Sequence, residues 1–363
     1  MQLPIDVRAL VNEMTDIKAA RATELSVSVY MDNDAEPGLV AHVRNAFAST
    51  LPTVRLSLSY LDNRFAPYAQ DDFAVIVAGS SRGIGAAAAA LRAAGVPVMI
   101  VTASPSFVAR TAEELGYAIP DGDIVAPPAG EGAEEPLEFS DDFAIELNTR
   151  IGRWIVAVCH EKKLAMAIAF PFMRRALAKD SVQATSLQNA GIGLVPLIPG
   201  ADLPILTLNQ AKMVLQIAAA YGHEMDKGRV KELAAVVGGA YLFRVVAREL
   251  LELVPALGFI IRPGIAYGGT AAVGNAAIEY FEGGEDAAGV ANIVSRAKET
   301  GSNFVSKVRT EGPSAFPGVW DKVQGLGEYI PVVQGKIKEY APKVVDVVDD
   351  LMGSVVAQSN SSK

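Results

Sequence analysis

Phe73-Ala74-Val75-Ile76-Val77-Ala78-Gly79-Ser80-Ser81-Arg82-Gly83-Ile84-Gly85 is the stretch that decides the fold. An unbroken apolar run of strand length, without alternation, reads as a strand covered on both faces, the arrangement of a parallel sheet. Glycines follow it at once, and then an alanine-rich helical stretch to Ala94. Working outward, the unit repeats. Leu25–Met31 and Val54–Leu61 alternate apolar and small polar residues, Val96–Thr102 is a second continuous apolar run, and Asp123–Val125 is a short last strand. Helical segments are expected at residues 4–22, Gly38–Ser49, Ile84–Ala94, Ser106–Leu115 and from about Asp141. Strands alternating with helices predict a doubly wound parallel α/β sheet, because each crossover has to cover a sheet face.

The chain has 363 residues, enough for two domains that each bury a core. Half the residues are hydrophobic and only 20% are charged, and the mean hydropathy is +0.26. That balance implies deep burial or contact with lipid. The formal net charge of −9 excludes a sequence-independent nucleic-acid binder, which needs clustered Lys and Arg to neutralise phosphates. The single cysteine, Cys159, rules out an internal disulfide and sits in the apolar run Trp154–Cys159, where a buried thiol is expected. A reducing, cytoplasmic setting fits, and the first residues show no signal-peptide pattern.

The second half reads differently. Pro127–Pro136 is acidic and rich in Pro and Gly, a surface loop or linker. After it no strand pattern recurs. Helices are expected over Glu161–Ala178, Lys231–Leu253, Ile265–Phe281, Ala287–Arg309 and Val319–Met352. Between them lies an apolar elbow, Ala190–Leu206, broken by Pro196, Pro199 and Pro204, each of which fixes φ and removes a donor. It feeds a helix carrying Asn209, Gln210 and Gln216, with Gly222 where a C-terminal cap belongs. Gly264, Gly268, Gly269 and Gly274 let helix backbones approach closely. Each candidate membrane span is interrupted by prolines or charges, so a hairpin that inserts shallowly or packs on a partner is expected rather than a transmembrane helix.

In a doubly wound sheet, ligands lie beyond the carboxyl ends of the strands. The loop after the first strand, Asp32-Asn33-Asp34-Ala35-Glu36-Pro37-Gly38, offers three carboxylates and no Lys, the reverse of a phosphate cradle. Asp32, Asp34 and Asp62 are the weak candidates for a Mg²⁺ site. Gly79, Gly83 and Gly85 form a pattern that resembles the cofactor loop of the short-chain dehydrogenases, which would imply NAD(P). The loop follows two earlier strands, however, and Tyr221 has no Lys four residues on, as that family's catalytic pair requires. Without a cofactor, Gly83 and Gly85 would allow close helix–strand packing.

Strand order resembles the Era-like GTPases more closely: residues 24–50 match the first strand, phosphate loop and first helix, 54–62 the strand ending in Asp, and 96–103 the strand before the guanine reader. At that reader this chain has Val101-Thr102-Ala103-Ser104-Pro105-Ser106, and its phosphate loop is acidic. The resemblance implies a GTPase-like domain without the nucleotide machinery. Ala184–Tyr221, with Pro196, Pro199-Gly200-Ala201-Asp202, Pro204, Gln210, Met213 and Tyr221-Gly222, resembles domain of unknown function family 697, a bacterial helical domain often found after an Era-like domain. The likeness covers about residues 150–285.

The expected organisation is an N-terminal helix (1–22), an α/β domain (23–140), an all-α domain (141–285) and C-terminal helices with a tail (286–363). The expected function is a non-catalytic pseudo-GTPase-like interaction or scaffold module, with no cofactor. Its partner would be the inner face of a membrane, or another protein, reached through the helical domain. The alternatives are an NAD(P)-dependent reductase and an atypical GTP-binding protein. No triad or zinc motif is expected around His42, His160 or His223.

Overall fold

The computed structural model describes residues 7–62, 64–126, 140–194, 202–223 and 258–283. The expected linker at 127–136, the prolines Pro196 and Pro199, and the helices expected at 231–253, 287–309 and 319–352 lie outside them.

The alternating period becomes a sheet of five strands, β1 (Leu25–Met31), β2 (Val54–Tyr60), β3 (Phe73–Ala78), β4 (Val98–Thr102) and β5 (Ile124–Val125). All neighbouring pairs are parallel, in the order β2-β1-β3-β4-β5. This is one of the common doubly wound orders, with its reversal between β1 and β3. Helices α2 (Pro37–Ala46), α3 (Ile84–Ala93), α4 (Pro105–Glu114) and α5 (Asp141–Val158) supply the cover, after α1 (Val7–Arg21).

Because side chains alternate along a strand, the sheet builds two separate cores. On one face Val27, Val29, Phe73, Val75, Val77, Met99 and Val101 meet Leu39, Val43, Leu147, Ile151 and Ile155 from α2 and α5. On the other, Tyr30, Ala74, Ile76, Val98 and Ile100 meet Ile84, Ala88, Leu91, Val108 and Ala112 from α3 and α4. Every residue of β3 and β4 is buried, as the continuous apolar runs require. Each fully buried Val, Ile, Leu or Phe contributes about 1.5–3 kcal/mol of transfer free energy.

Among the described residues of 61–72 there is no helix, so the crossover from β2 to β3 is a loop. Aromatic side chains do the covering. Phe65 stands edge-on to Tyr30 at 5.0 Å, and Tyr68 lies under the Arg55 guanidinium at 3.9 Å.

The chain divides into two compact units, one of them Ile17–Asp180 with Ala220–Gly222. The α/β body therefore passes the boundary expected at residue 140. The reason is visible in α5, whose Leu147, Ile151, Trp154 and Ile155 complete the core on one sheet face. The helix expected over Glu161–Ala178 is also corrected. It is α6 (Lys163–Ala169), a single 3₁₀ turn at Pro171–Met173, and the start of α7 (Arg174–Leu194). Pro171 donates no hydrogen bond and holds Phe170 extended, at φ −123° and ψ 96°.

In the other unit, α7 continues from Ser181, α8 is Asp202–Ala220 and α9 is Gly258–Glu282. Pro204 falls in the first turn of α8, where its missing N–H costs nothing. Gly222 takes φ +89°, and the His223 amide donates to the Ala218 carbonyl at 3.1 Å. That closure is the expected helix cap. A Cβ on Gly274 would come within 2.3 Å of Val182 and 3.1 Å of Met213, so this glycine sets the spacing of three helices. Asn189 lies on α7 and is fully buried. Its Nδ2 donates to Thr270 Oγ1 at 2.8 Å, and Gln210 Nε2 donates to the same oxygen at 2.9 Å. Asn209 Nδ2 donates to Asn189 Oδ1 at 2.8 Å. Among the described residues no helix is long and apolar enough to cross a membrane.

Candidate functional site

The sheet order brings the loop after β1 beside the loop after β3, at the reversal where doubly wound proteins hold ligands. The backbone of the second loop closes tightly on the first. A Cβ at Gly79 would lie 2.1 Å from the Asp34 carbonyl oxygen and 2.4 Å from the Ala35 nitrogen, so only glycine fits there without moving backbone.

Asp32 directly follows β1 and is 4% exposed. Its Oδ2 accepts from the Gly79 amide at 2.9 Å and from the Ser81 amide at 3.2 Å. The Ser81 hydroxyl donates to Asp32 Oδ1 at 2.5 Å. Asp34 lies beside this group, with Oδ2 3.3 Å from Ser81 Oγ and 3.5 Å from Ser80 Oγ. The carboxylate of Asp32 thus accepts from glycine-loop amides, donors of the kind that can also hold an anion.

The nearby helix start is filled in the same way. Glu36 is the N-cap of α2, and its carboxylate accepts from the Gly38 and Leu39 amides. An anion at a helix N-terminus meets both unpaired amides and the positive end of the helix dipole. Here the chain supplies that anion itself. Among the described residues no Lys or Arg forms an ion pair with Asp32, Asp34 or Glu36. At the end of β4, Thr102 is buried and its hydroxyl accepts from the Ser104 amide at 3.0 Å.

The metal candidates do not assemble. Asp62 lies in the turn after β2 and accepts from the Arg64 amide at 2.8 Å. Among the described residues no three His, Cys, Asp or Glu side chains are grouped to hold an ion. The dinucleotide candidates separate too. Gly79 makes the close approach, Gly83 has open space where a Cβ would stand, and Gly85 faces Ala112 and Tyr117 at 2.9–3.1 Å. Gly85 therefore permits packing against α4 and the residues after it, not against a strand as expected.

The acceptor roles of Asp32 and Glu36 toward backbone amides were missed by sequence reading, which registered only repulsion of phosphate. The available signal was an Asp at a strand end facing a Gly-Ser-Ser loop, and a Glu before Pro-Gly at a helix start. His42 Nε2 lies 2.8 Å from Asn148 Oδ1, and the His223 ring lies against Phe281 at 5.0 Å.

Elsewhere in this unit, the amino end of the sheet carries the ion pairs. Asp71, whose side chain is fully buried, accepts from Arg55 at 2.9 Å and from the Ser26 hydroxyl at 2.7 Å. Asp72 accepts from Lys162 at 2.6 Å and from the Ser26 amide at 2.9 Å. Burial pushes the nearby Cys159 thiol up to about 12, with Asp72 adding to the shift and Lys162 opposing it. Comparison with protein-family models, with curated proteins and with solved structures finds no match to the chain.

Proposed function

We propose that the α/β unit is a GTPase-like body without a nucleotide, serving with the helical unit as an interaction or scaffold module. The observation that carries this reading is the hydrogen bonding of Asp32 to the Gly79 and Ser81 amides. A phosphate seeking those donors would have to displace a carboxylate that already uses them, and would face Asp34 and Glu36 as well. The acidic loop 32–38 contains no Lys, and the residues after β4 contain no guanine-reading Asn-Lys-x-Asp. A membrane-side position for the helical unit is what the resemblance of residues 150–285 to family 697 implies, although no family model matches the chain. The apolar composition points the same way.

Thermal-shift titration of the full chain with GTP plus Mg²⁺, and separately with NADPH, tests the reading. A ligand that binds only the folded state raises the melting temperature through RT ln(1 + [L]/Kd). The expected result is no shift with either. A guanine-specific shift would establish a GTP-binding protein instead, and an NADPH-specific shift a reductase-like one. Co-sedimentation with anionic lipid vesicles tests the membrane expectation; protein remaining in the supernatant counts against it.

A further inference from the structure

We propose that the outer edge of β2 is a self-pairing interface, at which two copies of this chain join antiparallel across a two-fold axis through Ser57. In parallel pairing, alternate residues of an edge strand turn their backbone groups outward. The Leu25 amide donates to the Thr53 carbonyl, and the Leu61 amide donates to the Met31 carbonyl. The odd-numbered residues of β2 therefore bond to β1, and Leu56, Leu58 and Tyr60 direct their N–H and C=O away from the sheet, as does the Val54 carbonyl; the Val54 amide donates to the Leu51 carbonyl at 3.2 Å. Among the described residues no strand pairs with that edge.

Native edges are usually protected by charge, proline, a bulge or brevity. This one has no proline and no bulge, and it is not short. It is seven residues long, Val54-Arg55-Leu56-Ser57-Leu58-Ser59-Tyr60, rich in strand-forming residues. Its single charge, Arg55, is engaged by Asp71 and lies over Tyr68. Leu58 and Tyr60 are 41% and 53% exposed, the two exposed large apolar residues of the strand.

The sequence is complementary to its own reverse about Ser57. Antiparallel pairing on that centre sets Leu56 against Leu58 of the second copy, Val54 against Tyr60, and Arg55 against Ser59. No like charges meet, and apolar residues face apolar residues across one side of the joined sheet. The parity also agrees. The residues matched as hydrogen-bonded pairs are those whose backbone groups point outward: 56 with 58 exchanges both bonds, and 54 with 60 makes the one from the Tyr60 amide to the Val54 carbonyl, since the Val54 amide donates to Leu51. Ser57 falls opposite its own copy in a non-hydrogen-bonded pair, where side chains come closest. A second copy of the chain is thus the occupant that this edge fits by register, charge and polarity together. A strand of this length buries less surface than a standard interface, so the association depends on concentration.

Sedimentation velocity of the full chain over a hundredfold concentration range, with two sets of variants, tests this. The wild type is expected to shift from monomer to dimer. Leu58→Pro removes an outward amide without touching the pairing to β1 and is expected to remain monomeric with unchanged far-UV circular dichroism. Ser57→Cys is expected to give a disulfide-linked dimer on mild oxidation, since Cys159 is buried. Ser59→Cys is the control: in this register the two copies of residue 59 are four positions apart, about 14 Å, beyond disulfide reach. A monomer at every concentration would overturn the proposal. So would a dimer that survives Leu58→Pro, or one in which Ser59→Cys cross-links as well as Ser57→Cys.

Discussion

At the carboxyl end of the parallel sheet, a buried aspartate is held by neutral donors; at the amino end, two aspartates are held by cations. Asp32 accepts from the Gly79 and Ser81 amides and the Ser81 hydroxyl. Asp71 and Asp72 pair with Arg55 and Lys162. The difference separates two uses of a carboxylate. The amino-end pairs fasten the edge strand and the α5–α6 connection to the body of the sheet. The carboxyl-end group takes up donors that a ligand would otherwise need, in the part of the fold where ligands bind. On the reading proposed above, a chain that places its own anions there is complete without a nucleotide.

The largest effect expected from breaking this contrast is at Gly79. Gly79→Ala drives a Cβ into the backbone of Asp34 and Ala35 and should destabilise the α/β unit by about 3 kcal/mol. Gly83→Ala, in the same loop, meets open space at φ −77°. It should fall within about 0.5 kcal/mol of wild type, on the stabilising side. Urea denaturation of the two variants measures the difference, and equal losses would show that the loops do not clasp as described.

Asp32→Ala comes next. It strands the Gly79 and Ser81 amides and should cost about 2 kcal/mol, whereas Asp34→Ala, whose contacts are long, should cost much less. At the other end, Lys162→Met removes a partly exposed pair and should cost roughly 0.5–1 kcal/mol, less at high salt. If Lys162→Met proves more damaging than Asp32→Ala, the ranking of the two ends is wrong.

The smallest effect near neutral pH belongs to Cys159. Its folded value is raised from 9.0 to about 12 by burial, so the thiol's contribution is fully present below about pH 9. As pH rises from there toward 12, the unfolded chain releases the proton while the folded chain keeps it, and stability falls. Urea midpoints at pH 8 and pH 10 should show this slope in the wild type and a weaker one in Cys159→Ala.

Much of the α/β unit was legible because its strands announce themselves. The unbroken apolar runs at Phe73–Ala78 and Val98–Thr102 allow little but buried parallel strands, and the alternation in β1 and β2 fixes which residues face each core. Three things escaped. Periodicity does not show which core a helix joins, so α5 was assigned to the wrong side of a boundary. The break at Phe170 was overlooked although Pro171 stands beside it, because the apolar spacing continues through. The glycines were weighed by motif spacing, yet the tightest approach, backbone against backbone, is made by Gly79, and that depends on a loop forty-five residues away in sequence. In the helical unit the amides of α8 were visible, but their partners Asn189 and Thr270 come from distant segments. Hydrogen bonds of that kind leave no period in the sequence.

The most direct test is a high-resolution crystal structure determined with saturating GTP and Mg²⁺. The account predicts that the Asp32 carboxylate stays hydrogen-bonded to the Gly79 and Ser81 amides and that Glu36 stays on the start of α2, with no phosphate beside either. Nucleotide phosphates seated against residues 32–38, with those carboxylates turned away, would contradict it.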